Sequence, residues 1–444
     1  MGDTPVGKLL LKLSPPVMLA LLIQSVYNIV DSCFVSQYSL SGLTALSIIF
    51  PVQLLMTALA TGTGTGLNIL ISRMDGNGES GRQRDVVKSG LWLGIFNFLM
   101  FTGAGLLLIG GYYDLSSDQA AVRAAGLQYA QIIFLGSLGL FMESNCTRLL
   151  QAKGNMVTPM LAQVTGAVIN IVFDPILIFG LFGAPELGVA GAAMATVAGQ
   201  WAAMFITFRA VLRTYDMGGR FRVGDCAQIY RSGFPSMVMQ SLYTLYIVGL
   251  NLILKQFTED AVTVLGIYYK LQTFFFIPLM GLQQVIVPII SFNYGAQNDR
   301  RVKDTLRYSV MISGGVMALG TAAFMAFPQE LISIFAHSPS ILRIGAPALR
   351  IISASFVPAG FSMMFTVYFQ GIGRGKSSVF ITVLRQVVLL VPLAWLFHFR
   401  GLQYVWLTFP VTEIISMCCC FYLYGRGEGR LRGRNPKQKV KIDI

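Results

Sequence analysis

The chain contains 444 residues, of which 54% are hydrophobic and only 12% are charged, and its mean hydropathy is +0.64. A soluble protein with so few polar residues would be unable to cover its own surface. The composition therefore excludes a disordered chain, a secreted disulfide scaffold and a set of water-soluble domains, and it indicates a protein that lies mostly in lipid. Because a spanning helix takes about 20 to 25 residues, the length allows roughly a dozen spans.

Apolar runs bounded by glycine, proline and charge clusters predict an all-α membrane protein with twelve transmembrane helices. The connections between them are short, so we expect the protein to act inside the bilayer. In chain order the predicted spans lie at about 14–36, 44–72, 88–110, 123–149, 157–183, 187–213, 229–257, 261–291, 305–327, 341–371, 377–399 and 401–425.

The net charge of +13 follows a topological pattern. Lysine and arginine are concentrated in the connections that follow even-numbered spans, for example at Arg82 and Arg84, whereas the odd-to-even connections carry almost none. The positive-inside rule places the basic connections and both termini in the cytoplasm. Because topology accounts for the basic excess, we expect no nucleic-acid partner.

An internal repeat relates the two halves of the chain at an offset of 219 residues. Each half holds six spans, an even number, so both halves enter the membrane from the same side and are related by an axis along the membrane normal. The repeat predicts two parallel six-helix bundles around a central cavity. Its identities include Pro16 with Pro235, Tyr27 with Tyr246, Gln53 with Gln272 and Gln151 with Gln370.

Two such bundles suit a transporter that works by alternating access. A static pore is the alternative, but the sequence has neither the carbonyl filter nor the charged ring of a channel. Neither a Walker A pattern nor a Ser-His-Asp set is present, so we expect no enzyme and no catalytic residue.

The repeat also predicts the domain bounds. We expect an N-terminal bundle at 1–215, a cytoplasmic linker at 216–230, a C-terminal bundle at 231–425 and a basic cytoplasmic tail at 426–444.

Ionisable residues at membrane depth cost about 2.5 to 3.5 kcal/mol or more each, so each one is a candidate functional residue. Asp31 lies in span one, and Asp174 lies in span five, one helical turn after Asn170 on the same face. Pro175 removes a backbone donor beside the carboxylate, and Thr196 in span six adds a hydroxyl. These groups predict a site for a proton or a hard cation.

The polar cluster belongs to the first half only. A duplicated fold has little reason to confine two carboxylates to one bundle if they serve only packing, which favours a role in ion coupling. A carboxylate that is hydrogen-bonded to a neighbouring helix for packing is the alternative. At the repeat offset, leucines occupy the three positions: Leu250 for Asp31, Leu389 for Asn170 and Leu393 for Asp174.

Other residues are candidates for a substrate cavity. Glu143 is followed by Arg148, so a local pair is as consistent with the sequence as a cavity role, and Lys270 and Glu413 are expected either to pair or to line the cavity. Aromatic and methionine side chains suit ligands of varied shape, although packing is their commoner role. The candidates are Tyr27, Asn28, Met56, Glu143, Gln240, Tyr243, Tyr246, Lys270, Met280, Met363 and Glu413.

Three stretches carry a family resemblance: PVMLALLIQSVYNIVDSCFV in span one, NIVFDP in span five and PIISFNYGAQNDRRV at the end of span eight. With the two six-span halves, they resemble the multidrug and toxic compound extrusion (MATE) family from Pro15 to about residue 425. The resemblance implies export of amphipathic, often cationic, compounds in exchange for protons or sodium ions. Similarity to the DNA-damage-inducible, DinF-like bacterial branch implies an ion site at Asp31, Asn170, Asp174 and Thr196.

The resemblance also implies a location and partners. We expect a monomer in the bacterial cytoplasmic (plasma) membrane, in contact with lipid, with drug-like small molecules as substrates and without a cofactor. The coupling ion is expected to be H⁺ or Na⁺, and a monovalent cation would bind at Asp31, Asn170 and Asp174. Pro16 and Pro175 are the candidate hinges.

The second half differs from another branch of the family, which carries acids in spans seven and ten. Span seven has Gln240 and Tyr243 where a glutamate is expected, and span ten has no acid, which resembles the Mep-like exporters. We therefore expect no ion coupling through the second bundle. A flippase for lipid-linked saccharides is the alternative function, but it predicts extra spans and a wide basic cavity, whereas only Lys270 and Arg385 lie at depth.

Overall fold

The computed structural model describes residues 2–336 and 338–432, except for the side chains of residues 80, 244 and 427–432. Within this part of the chain every regular element is helical, with a 3₁₀ turn at Leu181–Gly183 and a π-helical turn at Leu384–Leu389. The rest of the predicted basic tail, 433–444, lies outside the described residues. The helices are α1 (Val6–Tyr38), α2 (Leu40–Asn77), α3 (Ser80–Ser116), α4 (Ala120–Gly136), α5 (Leu138–Ala152), α6 (Val157–Phe179), α7 (Val189–Thr214), α8 (Val223–Leu254), α9 (Glu259–Gly295), α10 (Asp299–Ala326), α11 (Pro328–Ser333), α12 (Pro339–Ser353), α13 (Phe356–Gly371), α14 (Gly375–Val383), α15 (Leu390–His398), α16 (Leu402–Trp406) and α17 (Thr408–Arg432).

The helices account for the twelve predicted spans. Ten stretches within the described residues are long and apolar enough to cross a membrane. Two bent pairs supply the other two when each pair counts as one span, with bends of 44° between α4 and α5 and 46° between α12 and α13. Each bent pair is the fourth span of its half, so the order of the helices repeats as the sequence does.

The chain divides into two compact units. The N-terminal unit comprises residues 15–237, and the C-terminal unit comprises residues 2–14 and the described residues from 238 onwards. One division falls within α1, directly before Pro15 and Pro16, and the other falls within α8, shortly after Pro235.

The bundle bounds predicted from the sequence differ from these units and stay a prediction. They assume that each bundle begins with its own first span, whereas α1 and α8 each contribute residues to both units. The predicted linker at 216–230 is only in part a connection, because α8 already begins at Val223.

Glycines allow α2 to pack closely against the start of α8. A Cβ atom on Gly66 would lie 2.0 Å from the Ile229 carbonyl oxygen, and one on Gly233 would lie 2.0 Å from the Gly62 carbonyl oxygen. Gly62 and Gly66 belong to the TGTGTG run at 61–66, which lacks the spacing of a nucleotide-binding loop. The run is therefore a helix-packing surface.

Ion pairs join three connections at one end of the N-terminal unit, and these connections carry basic residues that the sequence predicts to be cytoplasmic. The backbone N–H of Gly218 donates to Asp216 Oδ1 at 2.8 Å, and this bond together with Arg84 holds the pKa of Asp216 below its usual value. The pairs are Arg82–Asp225 (3.3 Å), Arg84–Asp216 (2.8 Å), Arg222–Asp85 (2.9 Å) and Lys153–Asp75 (2.6 Å).

We expect Gly66→Ala to lower the melting temperature of the purified protein in detergent, because the added methyl group meets the Ile229 carbonyl. Overpacking of this kind costs about 1 to 3 kcal/mol. Gly103→Ala in α3 is the matched control, since nothing lies within 4 Å of its new Cβ atom. Equal melting temperatures for the two variants would contradict the packing role of Gly66.

Candidate functional site

Helices α6 and α7 of the N-terminal unit cross closely where two glycines face each other. A Cβ atom on Gly166 would lie 2.7 Å from the Gly199 carbonyl oxygen, and one on Gly199 would lie 2.5 Å from the Gly166 carbonyl oxygen. Larger residues would force the helices apart. The close crossing brings Asn170, one turn after Gly166, beside Thr196 on α7.

Asn170 links the two helices through its side-chain amide. The amide nitrogen donates to Asp174 Oδ2 at 3.2 Å, and the amide oxygen accepts from the Thr196 hydroxyl at 3.3 Å. Asn170 is 2% exposed and Asp174 is fully buried. The structure thus brings together three of the four side chains that the sequence assigns to ion coupling, and their role stays a prediction.

Asp31 on α1 completes this group, which we call the acid cluster: Asp31, Asn170, Asp174 and Thr196. The Asp31 carboxyl group lies close enough to that of Asp174 for the two to interact electrostatically. Its Oδ1 atom is buried and has no hydrogen-bond partner among the described residues. Because carboxylates only accept hydrogen bonds, two of them can be joined only when one carries a proton or a cation lies between them.

Pro175 adds another acceptor beside the acid cluster. It lies inside α6, directly after Asp174, and has no backbone N–H. The Ile171 carbonyl, one turn earlier, therefore lacks its helical donor. Carboxyl, amide, hydroxyl and carbonyl oxygens are suitable ligands for a hard monovalent cation. Within residues 2–336 and 338–432 no group of three or more His, Cys, Asp or Glu forms a metal site, so the predicted cation would depend on this mixed set of oxygens.

A cavity of about 580 Å³, measured out to its mouth, adjoins the acid cluster. Asn170 and Thr196 line it, and so do Tyr27 and Glu143, two of the predicted substrate-cavity residues. Glu143 interacts electrostatically with Arg148, and the Thr147 hydroxyl donates to Glu143 Oε1 at 2.7 Å. Asn170 and Thr196 of the acid cluster are therefore accessible from a cavity within one unit.

Sequence reasoning missed several polar residues of this cavity. On α6, Gln163 precedes Asn170 by seven residues, and on α7, Gln200 follows Thr196 by four. These spacings place polar side chains on one face of an apolar helix, which is the signal that would have found them. Tyr129, which interacts electrostatically with Asp31, was missed as well. The missed cavity-lining glutamines are Gln24, Gln163 and Gln200.

Five other predicted residues line a second cavity, inside the C-terminal unit, of about 800 Å³ including its mouth. Arg385 also lines it, and its Nε donates to Glu413 Oε1 at 2.5 Å. The five residues are Tyr243, Tyr246, Met280, Met363 and Glu413.

The remaining four predicted cavity residues lie elsewhere. Lys270 is exposed, with Nζ 5.6 Å from the centre of the Phe335 ring, so its predicted pairing with the glutamate of span twelve is wrong. Met56 is 2% exposed and packs in the hydrophobic core of the N-terminal unit. Asn28 and Gln240 are exposed and line neither cavity. Residue type alone does not tell which face of a buried helix a side chain occupies.

A family model described as MatE matches residues 16–176 and 235–396. The chain belongs to the MATE family. The two matched stretches begin 219 residues apart, which confirms the duplication and its offset. The protein is thus a multi-pass membrane transporter, and its named relatives are transporters and not enzymes.

These relatives cover most of the chain. An FAD transporter from Shewanella oneidensis is 25% identical over 433 residues, which are 96% of this chain and 95% of the relative. Multidrug export protein MepA from Staphylococcus aureus is 24% identical over 401 residues, 87% of this chain and 86% of the relative. A solved outward-facing multidrug resistance MATE family transporter of the MOP superfamily has a TM-score of 0.89 at 25% identity, covering 97% of this chain and 98% of that one. The predicted fold class is confirmed.

We expect Gly199→Ala to weaken the ion dependence of transport, because the added methyl group forces α7 away from Gly166 and separates Thr196 from Asn170. Small displacements in a preorganised site have large effects, so the ion concentration for half-maximal transport should rise about tenfold. Gly111→Ala, which has no atom within 4 Å of its new Cβ, is the control. An unchanged ion dependence in folded Gly199→Ala protein would exclude the helix crossing as a determinant of the site.

Proposed function

We propose that the protein is a secondary active multidrug exporter, which expels amphipathic, often cationic, compounds in exchange for protons or sodium ions by alternating access. The observation that carries this proposal is the close approach of the Asp31 carboxyl group to the buried carboxyl group of Asp174 in a member of a transporter family. Two carboxyl groups that meet only when a proton or cation is present constitute a binding site for a coupling ion.

The same pair supplies a link between ion binding and conformation. When the ion is bound, the carboxyl groups hold α1 against α6. When it leaves, two negative charges in a medium of low dielectric repel each other and favour separation of the helices. An ion that binds one arrangement more tightly than the other shifts the equilibrium between them, which is the requirement for coupling. Pro16 in α1 and Pro175 in α6 interrupt backbone hydrogen bonding and are the proposed hinges.

The energy available from one ion is sufficient for export. A single charge that moves inward releases about 2.3 kcal/mol per 100 mV of membrane potential. This energy supports a substrate gradient of roughly fifty-fold. A concentration gradient of the ion adds to it.

We further propose a monomer in the bacterial cytoplasmic membrane, in contact with lipid, with both termini cytoplasmic and no cofactor. The ion pairs between the α2–α3 and α7–α8 connections support this topology, since they hold basic connections at one end of the N-terminal unit. The flippase alternative predicts a wide basic cavity. Among the residues that the structure describes, those that line the N-terminal cavity include Glu143 but no lysine or arginine, which favours the exporter.

We expect Asp31→Asn and Asp174→Asn to reduce ion-driven ethidium efflux from everted vesicles about tenfold or more, the size of a typical coupling energy. An amide cannot exchange the proton or supply the charge that binds a cation. Asp114→Asn is the matched control, because Asp114 is an exposed partner of Arg123 at 3.0 Å and such surface pairs contribute little.

Separately imposed sodium and pH gradients in the same vesicles identify the coupling ion. Efflux that persists in the aspartate variants, while the protein is inserted at normal levels, would reject the coupling role. Efflux that needs neither gradient would indicate a passive channel.

Export of a flavin nucleotide is a second candidate function, because the Shewanella oneidensis FAD transporter aligns with 96% of this chain. A dinucleotide and ethidium differ in charge and size, so one transport assay separates the two proposals. If the native cargo is a flavin nucleotide, FAD uptake into everted vesicles should be ion-driven and lost in Asp174→Asn, and excess FAD should inhibit ethidium efflux. FAD that is neither transported nor inhibitory would exclude this candidate.

A further inference from the structure

The two cavities occupy equivalent places in the two halves of the repeat. Several residues that line the N-terminal cavity have counterparts, 219 residues later, that line the C-terminal cavity. A packing defect would have no reason to recur at the repeat offset. The C-terminal cavity is therefore part of the repeated architecture and not an accident of packing. The equivalent lining positions include Tyr27 with Tyr246, Gly166 with Arg385 and Ala167 with Gln386.

The chemistry of the two cavities differs at these equivalent positions. The N-terminal cavity has Gly166, next to the acid cluster, for which the described part of the chain supplies no basic partner. The C-terminal cavity has Arg385 in the π-helical turn, with its Nε bonded to Glu413. Within the described residues, Nε is the only Arg385 nitrogen with a hydrogen-bond partner. The edge formed by Nη1 and Nη2 can therefore donate two parallel hydrogen bonds to a carboxylate.

The C-terminal cavity also has unused acceptors. Glu413 is 7% exposed, and its Oε2 is buried without a hydrogen-bond partner among the described residues, as is Gln386 Oε1. Tyr243, which is 36% exposed, supplies a ring against which an aromatic ligand can pack.

Charge balance selects the ligand. Arg385 and Glu413 together are neutral, so a ligand with a net charge would leave one charge uncompensated at membrane depth. A zwitterion brings an anionic group for Arg385 and a cationic or N–H group for Glu413 without adding net charge.

We propose that the C-terminal cavity binds zwitterionic planar aromatic compounds, with the ligand carboxylate on the free edge of Arg385 and its cationic part near Glu413. This inference deepens the proposed export function by naming a substrate class, and it rests on that function for its role in transport. The site then prefers a net-neutral zwitterion over the corresponding cation.

Rhodamine 110, a zwitterion, and rhodamine 123, its cationic methyl ester, test this preference with one aromatic skeleton. Fluorescence anisotropy titrations use the full-length protein in lipid nanodiscs at neutral pH. We expect rhodamine 110 to bind about tenfold or more tightly than its ester, the size expected for hydrogen bonds to a charged group. Equal binding, or tighter binding of rhodamine 123, would overturn the proposal.

Two variants test whether Arg385 and Glu413 cause the preference for rhodamine 110. Arg385→Lys keeps the positive charge but removes the planar fork, so rhodamine 110 should lose about tenfold in affinity while rhodamine 123 changes little. Arg350→Lys, at an exposed arginine of the same unit, is the matched control. Because breaking a buried pair can unfold the protein, the second variant is Arg385→Gln with Glu413→Gln, which removes both charges together and should abolish the preference.

Size-exclusion profiles and melting temperatures verify that the variants are folded. A preference for rhodamine 110 that survives in the folded double variant would overturn the assignment to this cavity. These binding measurements are independent of the ethidium assay. Loss of the rhodamine preference does not change the result for ion-driven efflux. Efflux that does not depend on Asp31 and Asp174 would reject the ion coupling but would not change the binding result.

Discussion

The close approach of the Asp31 and Asp174 carboxyl groups sets a condition on the N-terminal unit: two carboxylates can be joined only through a proton or a cation. In water the two carboxylates would separate and be hydrated. Inside the N-terminal unit Asp174 is fully buried and held by Asn170, which the crossing of two glycines places against Thr196. Asp174 is thus held through contacts of both α6 and α7.

The duplicated fold uses one architecture for two kinds of chemistry. The position of Gly166 illustrates this difference, because glycine there permits the close crossing that builds the acid cluster. Its counterpart Arg385 instead carries a charge, which Glu413 balances. Two cavities with different charge can bind different ligands, and the proposed exchange of an ion for a substrate needs sites for two ligands. Divergence of the halves after duplication provides them without a change of fold.

The spans were predictable because lipid admits only continuous apolar helices or closed barrels, so a one-dimensional pattern determines their number. Asp31, Asn170 and Asp174 were predictable because polar groups at depth are costly and two of them share a helix face. Tyr129 and the cavity glutamines were not singled out, because their importance depends on neighbours from other helices. The choice of Arg385 over Lys270 as the partner of Glu413 depends on how α9 is rotated, which composition does not reveal.

The sequence by itself determined the membrane class, the twelve spans, the repeat offset and the three polar residues of the first half that carry the proposed ion site. Each of these follows from hydrophobicity, from spacing along a helix, or from the free energy of placing polar groups in lipid. The tertiary structure decided that Asp31 meets Asp174, that the candidate cavity residues fall into two separate cavities, and that Met56 belongs to a core. Contacts between distant spans depend on how closely helices approach and how they are rotated, and glycines such as Gly166 and Gly199 set that approach only once both helices are in place.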